Sequence, residues 1–267
     1  GAGRTFFKKF SPRKTYYRYR KDNDMELRIM TYNILHGMDY ALHLAKQGEV
    51  IDLAKTAGTI RHIGADICGL NEVRGAGLTA GYTAQADAIG GYLGYHHVFG
   101  RSIYVGGTEP YGNGLVSRYP IATSEVIPIP DPIVDGKVPA GVESRSVLRC
   151  TFDFAGDKHL TVLATHFGLS LSERENAAAL CRKLLETETN PTVLLGDFNS
   201  TPDEGILWRL RRDYRSVGDF QKCTFPTDRP HIRIDYIFLN DKVSLRRHGI
   251  GPESASDHLP VWADIQF

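Results

Sequence analysis

Nowhere in the 267 residues is there an apolar run near the roughly 18 residues that a membrane-spanning helix needs. Cysteine is scarce too. The four thiols, Cys68, Cys150, Cys181 and Cys223, lie far apart and form no Cys-x-x-Cys pair, which argues against a zinc ribbon or a dithiol redox motif. Cys68 and Cys150 fall in apolar, strand-like runs and Cys181 on a helix-like stretch, so buried free thiols are expected, with a disulfide as the alternative. There is no internal repeat and no low-complexity linker, which leaves one domain as the better count. Acidic residues are missing from residues 1–21, where eight basic groups (Arg4, Lys8, Lys9, Arg13, Lys14, Arg18, Arg20, Lys21) accompany six aromatic ones. No apolar signal-like segment precedes Ser11.

The net charge of +1 therefore hides an asymmetry. Removing the eight basic residues of the head leaves 24 basic against 31 acidic, so the rest of the chain carries −7. An acidic body speaks against a generic nucleic-acid surface without excluding a local basic groove. The basic head (residues 1–24) is expected to be a solvated lead-in, its alternative a contact with lipid head groups or nucleic acid. The chain begins at Gly1 rather than Met; a removed export signal fits this and so does an engineered start, so an exported location is favoured only slightly over a cytoplasmic one. Nothing in the pattern calls for an obligate protein partner. The hydrophobic content of 42% is ordinary for a soluble domain, and residues 25–267 are long enough to bury a large core without staples.

Short apolar runs alternate with a few helical patterns. Strands are expected at 27–34, 66–70 and 95–99, and helices at 50–63 and 84–93. Residues 113–117 and 121–127 flank an Arg-Tyr-Pro turn and read as a hairpin. A proline-rich loop at 128–141 precedes a strand pair at 144–154 and 159–166. A helix at 173–185, a buried strand at 192–195, a helix at 203–210 and strands at 234–239, 243–248 and 261–265 complete the pattern. Many strands with a few interspersed helices suggest two packed sheets with helices outside.

Polar residues collect at the ends of these strands, where catalytic groups usually stand. Thr192-Val-Leu-Leu-Gly-Asp-Phe-Asn-Ser-Thr201 runs an apolar strand into Gly196. Beyond it Asp197 and Asn199 stand two apart, so in an extended segment they project together beside room left by the glycine. An Asx turn is the ordinary explanation of such a segment. Asp257 and His258 are adjacent, and Asp235 leads into another apolar strand. An aspartate that holds a histidine in one tautomer is a standard way to make a base.

The ordered set Thr31-Tyr32-Asn33-Ile34, Asn71-Glu72-Val73, Thr165-His166-Phe167, Gly196-Asp197-Phe198-Asn199, Ile234-Asp235-Tyr236 and Ser256-Asp257-His258 resembles the endonuclease/exonuclease/phosphatase superfamily. The resemblance runs from about residue 28 to 265. It implies an α/β (α+β) four-layer sandwich, two mostly antiparallel sheets flanked by helices as in deoxyribonuclease, with the active site at one end. It implies Glu72 as the principal metal-binding carboxylate, with Asn33 beside it and Asp257 near the metal. Asp197 and Asn199 match the pair that contacts the scissile phosphate, His258 the catalytic histidine that Asp235 orients, and His166 a phosphate contact from the opposite side. Glu143 and Arg145 resemble the family's Glu-x-Arg pattern, whose arginine faces the phosphate, and Asn113 is expected in the same pocket. Hydrolysing a phosphoester calls for this chemistry: a hard cation on oxygen ligands, Mg2+ or Mn2+, and donors for charge on the phosphate oxygens.

The resemblance leaves the substrate open. The apurinic endonucleases share Gly-Asp-Phe-Asn but have tyrosine where this chain has His166, which argues against abasic-site repair. Asn-Ile-Leu-His-Gly at 33–37 is most similar to the compact bacterial hydrolases of the superfamily. A phosphodiesterase or phosphomonoesterase for a small or lipid-linked phosphate is the first expectation. A nuclease is the second, and a non-catalytic binding module the third. Arg229 and His231 are expected to border the pocket, and the remaining histidines to be surface or turn residues.

Overall fold

Residues 24–267 are described by a computed structural model, and the basic, aromatic head at 1–23 lies outside the described residues. In the first half the elements run β1 (Glu26–Asn33), α1 (Tyr40–Leu44), α2 (Leu53–Ile63), β2 (Ile67–Arg74), α3 (Gln85–Leu93), β3 (His96–Val105) and β4 (Glu109–Ser117). The second half continues with β5 (Thr123–Pro128), β6 (Ser146–Phe154), β7 (Lys158–His166), α4 (Leu171–Thr187), β8 (Thr192–Asp197), α5 (Gly205–Asp213), β9 (Arg215–Ser216), β10 (Asp235–Leu239), β11 (Ser244–Ile250) and β12 (Val261–Gln266). They make two six-stranded sheets, ordered β11-β12-β1-β2-β4-β3 and β5-β6-β7-β8-β10-β9. All pairings are antiparallel except β1 with β2 and β7 with β8, each pair joined through a helix. No described helix is long and apolar enough to cross a membrane.

The helices follow from local signals. Asp52 caps α2 by accepting from Lys55 N at 2.9 Å, and Gly64 ends it in the left-handed region at φ 74°. The cap explains why this helix starts at Leu53 and not at residue 50. α4 opens on a full capping box between Ser170 and Glu173 and buries Ala177, Ala178, Cys181 and Leu185. These faces cover the outer sides of the sheets, α2 and α3 over one and α4 and α5 over the other. Between the sheets lies the third apolar layer, with Ile29, Ile67 and Leu115 facing Leu148, Val162 and Leu195. Gly69 sets the spacing there, because a Cβ on it would run into the Leu195 side chain. The four-layer sandwich is the expected one.

One expected element is different. Residues 113–117 and 121–127 do not pair; the first run lies in β4 of one sheet and the second in β5 of the other. β4 already has β2 and β3 on its two edges, so no edge is left for β5. The turn instead carries the chain across the core, with Tyr119 buried edge-on against Phe154 at 5.2 Å. β4's hairpin partner is β3, which runs to Val105, well past residue 99. Cys68, Cys150 and Cys181 are buried and Cys223 is half-buried, all four free.

Topology brings the polar strand ends together. The parallel pairs end at one rim in register, Asn33 beside Asn71 and His166 beside Asp197. Antiparallel β10 enters at the same rim, with Asp235 opposite Asp197.

Candidate active site

Glu72 sits where β2 shifts register against β4, between Leu70 and Val73, and takes a left-handed backbone at φ 59°. A bulged, strained non-glycine residue at a strand end re-aims its side chain, a device common at functional sites. Its carboxylate is held from both sides: Oε1 accepts from Asn33 Nδ2 at 3.0 Å and Oε2 from Tyr111 OH at 3.0 Å. Asn33 also donates to Asp197 Oδ2 at 3.1 Å, and its own oxygen is taken by Leu35 N at 3.0 Å. Asn33 thus positions two carboxylates here, with one lone pair of its own oxygen taken by Leu35 N.

Asp197 and Asn199 stand together as expected, though by another route. Asn199 is itself left-handed at φ 45°, and its N–H closes an Asx turn on Asp197 Oδ1 at 2.9 Å. The turn and the site are the same feature. Gly196 leaves no room for a ligand, because a Cβ there would run into the Thr165 carbonyl of β7. The glycine is needed by the neighbouring strand. Arg174 Nη1 donates to Asn199 O at 2.6 Å and fixes the far side of the turn.

His258 lies 4% exposed, with Nδ1 at 3.2 and 3.0 Å from the two oxygens of Asp235. Its Nε2 faces Asp197 Oδ2 at 3.7 Å. The loop that carries it is tied down by one buried hydroxyl among other bonds: Tyr32 OH accepts from Ala255 N at 3.0 Å and Ser256 N at 3.2 Å, and pairs with Ser254 Oγ at 2.6 Å. Tyr32→Phe strands the Ala255 N–H and leaves Ser256 N only its bond to Ser254 Oγ at 3.0 Å, and is expected to cost about 1–3 kcal/mol of stability. Urea denaturation reads this; a loss under about 0.5 kcal/mol would show that the hydroxyl does not hold the loop.

His166 faces His258 across Asp197, its Nε2 at 3.6 Å from Asp197 Oδ2. Arg145 Nη1 is 3.3 Å from its Nδ1 and Asn199 Nδ2 is 3.1 Å from its Nε2. Both neighbours are N–H donors, so the ring gains nothing from a second proton. Burial and the Arg145 charge hold its pKa well below the ordinary value. Glu143, on the exposed side, anchors Arg145 Nη2 at 3.0 Å. Asn113 is a correction: it is 1% exposed and does not line the cleft. Its oxygen accepts from Asn71 Nδ2 at 2.8 Å and its nitrogen donates to Ser146 O at 2.9 Å. Together with Asn71, which accepts from Asp197 N at 3.1 Å, it ties the two sheets beneath the site.

Two imidazoles and four carboxylates, those of Glu72, Asp197, Asp235 and Asp257, share this rim, and burial shifts His166, His258, Asp197 and Asp257. Burial pushes Asp197 up to about 7, helped by Asp235 and opposed by His258. His258 is pushed down by burial, yet Asp235 and Asp197 outweigh this and raise it to about 10, so it carries its proton at neutral pH. For Asp197 the sign is unusual. Its ordinary value is 3.8, so its contribution to stability is present below that pH and is lost as pH rises through about 7. In EDTA, the Tm of wild type minus that of Asp197→Asn is expected to fall between about pH 4 and about pH 8. A difference that stays flat would contradict burial as the cause.

A cleft of about 670 Å3 opens over these groups. Glu72, Arg145, His166, Asp197, Asn199, Asp257 and His258 line its floor, with Ile103, Val105, Leu169, Phe225, Ile232 and Ile234 in its walls. Arg229 and His231 do not line it; both point into solvent, and the hairpin they sit on contributes Phe225 and Ile232 instead. Phe225 packs on His258 at 4.7 Å between ring centres.

Two groupings could hold a cation. Ligand atoms of Asp197, Asp235 and His258 lie within 4.8 Å of one another and are buried. There, however, Asp235 and His258 already satisfy each other. Glu72 and Asp257 offer hard oxygen donors on the cleft, and burial raises Asp257, with Glu72's charge adding to it against His258. A divalent cation would relieve that repulsion, so these residues fit one.

The family model of the endonuclease/exonuclease/phosphatase family matches residues 30–258. The chain belongs to this family, whose members are hydrolases acting on phosphoesters and generally depend on a divalent metal. No curated protein matches it significantly. Among solved structures it is similar to an endonuclease/exonuclease/phosphatase from Beutenbergia cavernae at 24% identity and a TM-score of 0.72, covering 91% of this chain and 72% of that one. It is also similar to a mannosyl-6-phosphatase of Bacteroides thetaiotaomicron (19% identity, TM-score 0.69, covering 90% and 100%). A third is the catalytic domain of human nocturnin with a bound sulfate (16%, TM-score 0.63, covering 90% and 93%). At these identities the likeness is one of fold.

Proposed function

We propose that the protein is a magnesium-dependent phosphoesterase acting on a small or lipid-linked phosphate. The observation that carries this is the arrangement of His166 and His258 on either side of Asp197, at 3.6 and 3.7 Å, above a cleft that also holds Glu72 and Asp257. Magnesium would be held by Glu72 and Asp257, and when bound it supplies positive charge against the phosphate oxygens.

The chain's own residues do the rest. His258, protonated and oriented by Asp235, donates from Nε2 to a phosphate oxygen. Arg145 donates to another, and His166 stays neutral between Arg145 and the Asn199 amide. A protonated His258 does not accept a proton, so the carboxylate of Asp197 is the group that takes one from the attacking water. Asn33 and the Asn199 N–H keep that carboxylate aimed. The apolar walls suit an organic group next to the phosphate, and the acidic body disfavours a long polyanion. The similarly folded protein of Bacteroides thetaiotaomicron is a mannosyl-6-phosphatase, which accords with this reading.

A substrate panel with magnesium and with chelator tests the reading: bis-p-nitrophenyl phosphate, sugar and inositol phosphates, phospholipids, plasmid DNA and RNA. Turnover of the small or lipid phosphates supports it. Cleavage confined to DNA or RNA, surviving raised salt and abolished by Asp197→Ala, would move the assignment to a nuclease.

A further inference from the structure

Four loops stand at the rim that carries Asn33, Glu72, His166 and Asp197. Residues 75–84 follow β2, 106–108 turn the β3–β4 hairpin, 129–145 join β5 to β6, and 167–170 join β7 to α4. All four belong at this end, because β4 runs against β2 and β6 against both β5 and β7. The first two are tied together, with Thr79 N and Oγ1 donating to Glu109 Oε1 at 3.0 and 2.7 Å.

These loops and the element ends beside them expose Leu78 (85%), Val105, Ile133, Val134, Leu169 (72%) and Leu171. Single exposed leucines are ordinary on any protein, but a ring of them around one opening is not. Segments 75–84, 102–108 and 167–172 contain no charged residue, while 129–145 carries Asp131, Asp135, Lys137, Glu143 and Arg145 beside its exposed Ile133 and Val134. Glu109, at the hairpin, is buried and turned onto Thr79. The apolar rim also continues inward, since Val105 and Leu169 line the cleft with Ile103 and Phe225.

We propose that this collar seats the protein on a zwitterionic lipid surface, with the cleft over the headgroup phosphate. The proposal rests on the phosphoesterase reading. An apolar ring with an opening at its centre lets side chains enter the acyl boundary while a headgroup enters the cleft. The charge of −7 on the chain beyond residue 21 opposes an anionic membrane, which selects a surface without net charge. The contact is made by hydrophobic burial and is therefore insensitive to salt.

The test is co-sedimentation of the full chain with phosphatidylcholine vesicles, beside the triple variant Leu78→Ser, Ile133→Ser, Leu171→Ser. None of the three residues lines the cleft. The wild type is expected to sediment, and the variant to partition about tenfold or more weakly. Magnesium-stimulated hydrolysis of soluble bis-p-nitrophenyl phosphate by the variant is expected to be unchanged, which also shows that it is folded. A wild type that stays in the supernatant, or a variant that sediments equally, overturns the proposal. So does binding seen only on anionic vesicles and lost at raised salt, which would assign the contact to the basic head. Failure of the phosphoesterase reading is separate: it would appear as no metal-stimulated hydrolysis of any soluble or lipid phosphoester by the wild type.

Discussion

His258→Ala is expected to lower turnover on the order of 10^3-fold with a smaller effect on KM. The ring is the one cationic donor inside the carboxylate cluster, held by both oxygens of Asp235 and facing Asp197 at 3.7 Å. Alanine removes the donor to the phosphate. It also leaves Asp235 and Asp197, each about 1% exposed, as buried carboxylates without their cation. The second effect removes the charge that opposes the rise of Asp197, so Asp197 stays protonated at neutral pH and serves poorly as a base. Part of the lost rate is therefore expected to return as pH is raised, which a merely structural role for the ring would not produce. Steady-state kinetics across pH separate the two; a turnover within about tenfold of wild type would remove His258 from the chemistry.

Gly196→Ala is expected to destabilise the fold by about 3 kcal/mol or more and to abolish activity as well. Gly196 lies opposite Thr165 in the parallel pairing of β7 with β8, and an added Cβ would collide with the Thr165 carbonyl. The obstacle is backbone within a sheet, so no rotamer change relieves it. The strands must separate instead, and the next pair along the register is His166 with Asp197. Separation would thus spread His166 from Asp197, the carboxylate proposed to take the proton of the attacking water. Urea denaturation and turnover should fall together; an alanine variant within about 1 kcal/mol of wild type would contradict the close approach.

Much of this was legible in the sequence because the site is built from strand ends. Runs such as Thr-Val-Leu-Leu before Gly196 mark buried strands, and the polar residue that ends each run has nowhere to go but the rim. Glu72, His166, Asp197 and Asp235 come together for that reason, with Asn199 just beyond, while Glu143, Arg145, Asp257 and His258 arrive on loops at the same rim. What was not legible depends on pairing across the two sheets. Asn113 and Asn71 differ from the cleft residues only in facing the opposite sheet, and nothing local shows this. Asn33 sits at the expected place, but the direction of its amide is decided by Leu35 N, Glu72 and Asp197. Tyr32 reads as a core aromatic; its hydroxyl matters because residues 254–256 fold over it from the far end of the chain. The hairpin expected at 113–127 failed because strand order, not turn composition, decides which edge is open.

In the proposed site Glu72 and Asp257 hold a divalent cation for hydrolysis carried out by Asp197 and His258. The most direct test is the initial rate on bis-p-nitrophenyl phosphate against added magnesium, after EDTA treatment, for wild type and Glu72→Gln. The wild type should be inactive in EDTA and recover with magnesium, while Glu72→Gln should need about 10–100-fold more magnesium for the same rate. Hydrolysis that persists in EDTA, or a magnesium dependence unchanged by Glu72→Gln, would contradict it.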